Sequence, residues 1–235
     1  SGETLGLVGE SGCGKSTLAR CILRLIQPSA GSVCFDGSDL NLLSPEVLRQ
    51  KRREFQIIFQ DPFASLDPNL TIRQILLEPY EVHHLGTRRQ REQWIEDLAD
   101  AVSLDRVLLR RRPESLSGGQ QQRVGIARAL ALKPRLLIAD EPVSALDASV
   151  QAQILNLLAD LQRRFGLTLV LISHSLQVIH YISSRVVVMY LGRIVEEAPA
   201  DEFFTKAKHP YSELLLESMP ALELSGARQS LTAPG

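Results

Sequence analysis

The stretch Gly9-Glu10-Ser11-Gly12-Cys13-Gly14-Lys15-Ser16-Thr17 constrains this chain more than any other. It fits G-x-x-x-x-G-K-[ST], a glycine loop whose backbone N–H groups wrap an anion ahead of a helix N-terminus. The flanks suit that geometry. Residues 4–8 form a short apolar run suited to a buried strand, and residues 17–26 carry apolar side chains at helical spacing, with Pro28 as the stop. A strand, a glycine loop and a helix start in that order aim successive amides at one phosphate chain, with the helix dipole behind them. Gly12 and Gly14 let the backbone bend and approach closely. Residues 9–17 are therefore assigned as the nucleotide-binding loop. Lys15 would reach the β- and γ-phosphates, and the Ser16 hydroxyl would hold Mg²⁺. A chance glycine-rich turn would not bring the strand and the helix with it, so the chain is expected to bind a nucleoside triphosphate.

At 235 residues, 44% of them hydrophobic, the chain suits one large α/β domain with an inserted or appended subdomain. A formal net charge of −1 gives no global attraction to nucleic acid or anionic lipid. The basic clusters Lys51-Arg52-Arg53, Arg88-Arg89-Gln90-Arg91 and Arg110-Arg111-Arg112 lack interleaved aromatics, so they read as solvated surface and no nucleic-acid partner is expected. Cys13, Cys21 and Cys34 neither pair nor follow a metal spacing, which fits a reduced cytosolic setting. No apolar run approaches the roughly 18 residues of a membrane span, and no signal peptide is visible. Work at a membrane would go through a partner. The chain starts without Met and close to its first strand, so an N-terminal piece is expected to be missing.

Further along, residues 32–35 read as a short strand entering a turn at Asp36-Gly37, and 45–53 as a helix with Pro in its first turn. Residues 55–59 suit a buried strand ending at Gln60-Asp61-Pro62. Helical, charge-rich pattern fills 71–102 with a break at Gly86, and a further helix is expected over 120–132. The apolar runs 136–140 and 168–173 read as strands buried on both faces, flanking a helix over 148–165 that Gly166 caps. A short helix to about 182 and two tightly joined strands, 186–190 and 193–195, follow; the polar tail from Glu223 is expected to lack order. Strands alternating with helices imply an α/β phosphate-loop fold, a mostly parallel sheet flanked by helices with an inserted helical subdomain. The expected division is a nucleotide-binding core over 1–69 and 133–200, a helical subdomain over 70–132, and a C-terminal extension over 201–235.

In a parallel sheet the strand ends deliver side chains to one cleft. Here those ends carry Gln60, the pair Asp140-Glu141, and His174. Asp140 follows its strand as a Mg²⁺-organising carboxylate should. Neighbours on a strand point apart, but the turn at Pro142 can hold both carboxylates on the cleft side. Glu141 would then polarise the attacking water, His174 would hydrogen-bond the γ-phosphate, and Gln60 would help position Mg²⁺ and water. Singly, each has a plainer reading as a solvated strand end or a structural hydrogen bonder. Their occurrence together behind one phosphate loop favours catalysis.

The run Leu116-Ser117-Gly118-Gly119-Gln120, followed by Gln121-Gln122-Arg123, is a second Ser-capped, glycine-led helix start and hence a second anion site. It resembles the signature motif in the ATP-binding subunits of ABC transporters. Ser144-Ala145-Leu146-Asp147 is similar to that family's loop crossing between subunits, and His174 to its switch histidine. The resemblance implies an ABC cassette, its N-terminal antiparallel part truncated here, that hydrolyses ATP with Mg²⁺. It implies a head-to-tail dimer in which residues 116–120 of one subunit close over the nucleotide of the other. The implied partners are a second ATPase subunit, identical or similar, transmembrane permease subunits, and indirectly a substrate-binding protein. The implied location is peripheral, on the cytoplasmic face of the inner (plasma) membrane.

Residues 60–68 and 209–215 resemble the importer branch serving peptides and nickel, which points to powering a dipeptide or oligopeptide importer. A nickel or metal-chelate importer is the alternative, and a non-transport regulatory nucleotide-binding module is the alternative of another class. Three departures stand out. The upstream region that supplies the family's adenine-stacking aromatic is absent from this sequence, Ser175 stands where relatives often have Asp, and no cysteine follows Cys34, so no iron–sulfur cluster is expected.

Overall fold

In the computed structural model, which describes residues 2–219, the apolar runs become the strands of one central sheet. Strand β1 (Thr4–Val8) enters the glycine loop and helix α1 (Lys15–Ile22). Strands β2 (Cys34–Phe35) and β3 (Ser38–Asp39) form a small antiparallel hairpin. Asp36 and Gly37 both take positive φ, 52° and 75°, as the tightest hairpin turn requires. Helix α2 (Pro45–Lys51) is capped by Ser44, and strand β4 (Phe55–Ile58) leads to the short helix α3 (Pro62–Ser65). Helices α4 (Ile72–Val82) and α5 (Arg88–Ala101) each open with a reciprocal capping box, Thr71 with Gln74 and Thr87 with Gln90. Then come α6 (Gly118–Leu130), β5 (Leu136–Asp140), α7 (Ala148–Phe165), β6 (Thr168–Ile172) and α8 (Leu176–Ile182). Strands β7 (Arg185–Tyr190) and β8 (Arg193–Pro199) and helices α9 (Ala200–Thr205) and α10 (Pro210–Glu217) complete the order.

The sheet runs β4-β5-β6-β1-β7-β8, parallel throughout except for the final β7–β8 pair. Ile172 is the register partner of both Asp140 and Leu7, so β5, β6 and β1 end nearly level. That level edge is what assembles the site. Alternation along the strands sends Ile138, Ile172 and Val187 to the face covered by α1, with Ala19 and Leu23. Leu137, Ala139, Leu171 and Val186 go to the other face, against Ile154 and Leu158 of α7. This second layer is continuous with Ile72, Leu76, Ile95 and Val124, so the helices between β4 and β5 share a core with the sheet.

Several elements differ from the sequence reading. Helix α1 stops at Ile22, four residues early, because Arg24 adopts φ 53° and the N–H groups of Leu25 and Ile26 turn back onto the Arg20 carbonyl. Leu25 and Ile26, counted among that helix's apolar residues, lie beyond it and are exposed. Helix α6 starts at Gly118, two residues earlier than expected, since Ser117 is its cap. Strand β8 continues to Pro199, past a bulge opposite Val188/Met189. The polar tail from Glu223 lies outside the described residues. Among those described, no helix is long and apolar enough to cross a membrane.

Candidate active site

Gly9 takes φ 153°, and a Cβ there would lie 2.1 Å from the carbonyl oxygen of Met189 on β7. Backbone cannot yield to such a contact, so only glycine lets the loop leave β1 this close to its neighbour. Gly14, at φ 107°, caps α1. The loop is tied to the β7–β8 turn by the Gly192 N–H, which donates to the Cys13 carbonyl at 3.1 Å. Lys15 is buried under the loop. Its Nζ donates to the carbonyls of Gly9 (2.7 Å) and Glu10 (2.8 Å) and lies 3.7 Å from Cys13 Sγ.

At the second residue of α1, Ser16 Oγ donates to Asp140 Oδ1 at 3.1 Å. Asp140 is 4% exposed, and burial pushes its carboxyl above the usual carboxylate range. The Ser16 hydroxyl opposes that shift, Glu141 adds to it, and the charges of Arg20 and Lys15 pull it back down. A buried carboxylate and a hydroxyl in hydrogen-bond contact are the hard oxygen donors that Mg²⁺ takes, beside phosphate and water. Gln60 lines the cleft that Glu141, the residue after Asp140, also lines.

Glu141 resolves the problem of adjacent carboxylates. It adopts φ 48°, a left-handed conformation that breaks the strand's alternation, while its N–H still donates to the Ile172 carbonyl at 2.9 Å. The Ser144 N–H and hydroxyl both donate to the Glu141 carbonyl, at 3.4 and 3.2 Å, and hold the turn. Glu141 Oε2 then lies 2.8 Å from His174 Nδ1. Glu141 is mostly buried, whereas His174 is half exposed to the cleft. Ser175 caps α8, its hydroxyl accepting from the Val178 N–H, while its own N–H donates to Ser173 Oγ. Ser11, Gln60, Asp61, Glu141, Ser144, Ala145 and His174 line one cleft of about 590 Å³. Of the expected strand-end residues it gathers Gln60, Glu141 and His174, with Ser11 of the glycine loop, whereas Lys15, Ser16 and Asp140 do not line it.

None of residues 116–120 lines that cleft. Leu116 is buried, while Ser117 closes a capping box: its hydroxyl accepts from the Gln120 N–H at 3.3 Å, and the Gln120 side chain accepts from the Ser117 N–H at 3.0 Å. Gly118 and Gly119 pack on the start of α7, where a Cβ on Gly119 would lie 2.6 Å from Val150 Cγ1 and one on Gly118 3.3 Å from Leu146 Cδ2. Asp147 caps α7, its carboxyl held low by the Val150 N–H and the Ser149 hydroxyl. Residues 144–147 therefore bridge the Glu141 turn and the opening of α6.

Two residues were given no role by the sequence. Asp61 lines the cleft and caps α3, accepting from the N–H groups of Phe63 (2.9 Å) and Ala64 (3.1 Å); an Asp before Pro was the available signal. Tyr211 of α10 accepts a hydrogen bond at 3.0 Å from the N–H of Glu10, inside the glycine loop. Those residues are 201 apart in the chain, and no local pattern could have paired them.

The family model for ABC transporters matches residues 1–144, and the model described as the oligopeptide/dipeptide transporter C-terminal region matches residues 195–233. A probable peptide ABC transporter ATP-binding protein of Sinorhizobium fredii is 53% identical over 235 residues, covering 100% of this chain and 67% of its own length. The oligopeptide transport ATP-binding protein AppF of Bacillus subtilis is 50% identical over 96% of this chain and 69% of its own. Among solved structures, the ATP-binding cassette MJ0796, a dimer in a post-hydrolysis state with ADP and Pi, aligns with a TM-score of 0.76 at 32% identity, over 85% of this chain and 86% of that one. The chain cbiO1 from Clostridium perfringens, part of the ABC transporter complex cbiONQ, aligns with a TM-score of 0.79 at 27% identity, over 87% and 80%. A phosphate loop, a buried Asp-Glu strand end and an imidazole on one sheet edge, in a chain this similar to those proteins, make it an ATPase of the ABC transporter family.

Proposed function

We propose that this chain powers peptide uptake as the ATP-hydrolysing subunit of an importer whose membrane-spanning permease subunits are separate chains. The contact of Glu141 with His174, 2.8 Å apart beside the phosphate loop, is the observation that carries the hydrolytic part. A non-hydrolytic regulatory module has no use for a carboxylate held in a left-handed turn against an imidazole. The peptide part is supported by the match of residues 195–233 to the oligopeptide/dipeptide transporter region and by the names of the most similar relatives.

The phosphate chain of ATP lies along the amides of residues 9–17, at the positive end of α1. Lys15 exchanges the carbonyls of Gly9 and Glu10 for β- and γ-phosphate oxygens. Ser16, Asp140 and Gln60 would hold Mg²⁺, which would supply charge neutralisation on the transferring phosphoryl group. Glu141 takes a proton from the water whose oxygen bonds to the γ-phosphorus, and the bridging oxygen leaves with ADP. His174, oriented through Nδ1 by Glu141, contacts the γ-phosphate. Residues 116–120 act in trans, with Ser117 and Gly119 closing over the nucleotide of a second ATPase subunit, and residues 144–147 cross between the subunits. The helical subdomain, 70–132, and the loop after Gln60 transmit closure to the permease from the cytoplasmic face of the membrane. A substrate-binding protein delivers cargo on the other side.

The test is ATP-driven uptake in vesicles carrying this chain with its permease and substrate-binding partners. A labelled oligopeptide is expected to accumulate and nickel is not. Accumulation of nickel without peptide would overturn the peptide assignment.

A further inference from the structure

The C-terminal part of the chain reaches the phosphate loop at two points. Gly192, in the β7–β8 turn, holds the Cys13 carbonyl, and Tyr211, in α10, holds the Glu10 N–H. The Tyr211 ring also leans on Tyr190 of β7, with centroids 4.3 Å apart at 35°, and is itself buried. Behind Tyr211 the backbone is pinned. Glu196 on β8 accepts from the N–H of Lys208 at 2.8 Å through one carboxylate oxygen and from the N–H of His209 at 3.0 Å through the other. His209 Nδ1 in turn accepts from the N–H of Tyr211 at 3.1 Å and so caps α10. These contacts form a continuous path: Glu196 fixes 208–209, the cap fixes Tyr211, and Tyr211 fixes the Glu10 peptide. The Gly9 carbonyl, which belongs to that same peptide, and the Glu10 carbonyl that follows it are the two that hold Lys15 Nζ.

We propose that residues 208–211, anchored on Glu196, are a latch on the phosphate loop, with Tyr211 as a positioning residue that sets the Glu10 peptide and, through it, the reach of Lys15. The inference deepens the reading of this site as an ATPase and rests on it. It gives the segment a task at the nucleotide: when the latch is open the loop loses an anchor and binds ATP less tightly. By thermodynamic reciprocity, bound ATP closes the latch by the same factor. Anything that pulls on α10 would thereby change ATP affinity without touching the cleft.

The test compares the chain with its Tyr211→Phe and Glu196→Gln variants, using Mg-ATP titration calorimetry, steady-state hydrolysis and hydrogen exchange. Tyr211→Phe keeps the ring stack and removes only the hydroxyl. The dissociation constant for Mg-ATP should rise about two- to tenfold, the equivalent of one neutral hydrogen bond, with kcat nearly unchanged. Glu196→Gln should act in the same direction, and the double variant should fall short of the product of the two, because both open one latch. Mg-ATP should slow exchange of the Lys208 and His209 amides in the parent, and much less in Tyr211→Phe. A purely structural Tyr211 would lower thermal stability while leaving the dissociation constant and the ATP-dependent protection as in the parent, and that result overturns the latch. A parent that fails to bind Mg-ATP overturns the ATPase reading, and the latch with it.

Discussion

Replacing Glu141 with Gln removes a carboxylate while keeping the side chain's length, so it isolates the chemistry assigned to this residue. The left-handed turn is held by backbone, through the Glu141 N–H on Ile172 and the Ser144 contacts to the Glu141 carbonyl, and both survive the change. The contact with His174 becomes a neutral hydrogen bond; with the imidazole 55% exposed, that costs at most about 1 kcal/mol. Melting temperature should barely move. Turnover should move a great deal, since a positioned general base is worth about 10²- to 10⁴-fold, or about 3–5 kcal/mol of barrier. The assay is single-turnover release of phosphate from Mg-ATP, beside equilibrium binding of Mg-ATP to the same protein. Intact binding with turnover down at least a hundredfold is expected. Turnover within threefold of the parent would refute the assignment of Glu141, and with it the meaning given to the 2.8 Å contact.

Two further substitutions probe the surrounding frame. Burial raises the Asp140 carboxyl above its unfolded value, so ionisation there opposes folding at pH above the raised value, and the cost fades as pH falls through it. Asp140→Asn, which still accepts from Ser16, should therefore melt higher than the parent at neutral pH, with the gap closing in acid, while hydrolysis is lost; a lower melting point at neutral pH would contradict the burial argument. Gly119→Ala places a Cβ 2.6 Å from Val150 Cγ1, a branched side chain with little freedom to turn away. It should destabilise by about 1–3 kcal/mol in denaturant melts, and Val150→Ala should restore most of that loss. Failure of the rescue would mean that α6 does not pack on α7 as described.

Much of the site was legible because its elements are local. The glycine loop, the apolar strands and the caps Ser117 and Gly166 follow from short spacings, and parallel pairing then puts Gly9, Gln60, Asp140, Glu141 and His174 on one edge. What stayed hidden depends on distant partners or on unusual backbone. The left-handed turn at Glu141 is occupied by a residue with no preference for it, so the direct contact with His174 was out of reach. The early end of α1 at Arg24 has the same cause, a left-handed residue where sequence gives no glycine. Tyr211 was legible only as part of a segment resembling peptide and nickel importers. Its bond to Glu10 belongs to tertiary packing.

We propose that residues 116–120, at the start of α6, serve a nucleotide held by another subunit: they open a second capped helix N-terminus, outside the cleft that Glu141 and His174 line. The most direct test is the mass in solution of Glu141→Gln protein, by light scattering over a range of concentrations, with and without Mg-ATP. An ATP-dependent dimer, lost when Ser117 is replaced by Arg, is the predicted result. A protein that binds Mg-ATP and stays monomeric at every concentration would contradict closure between two copies of this chain.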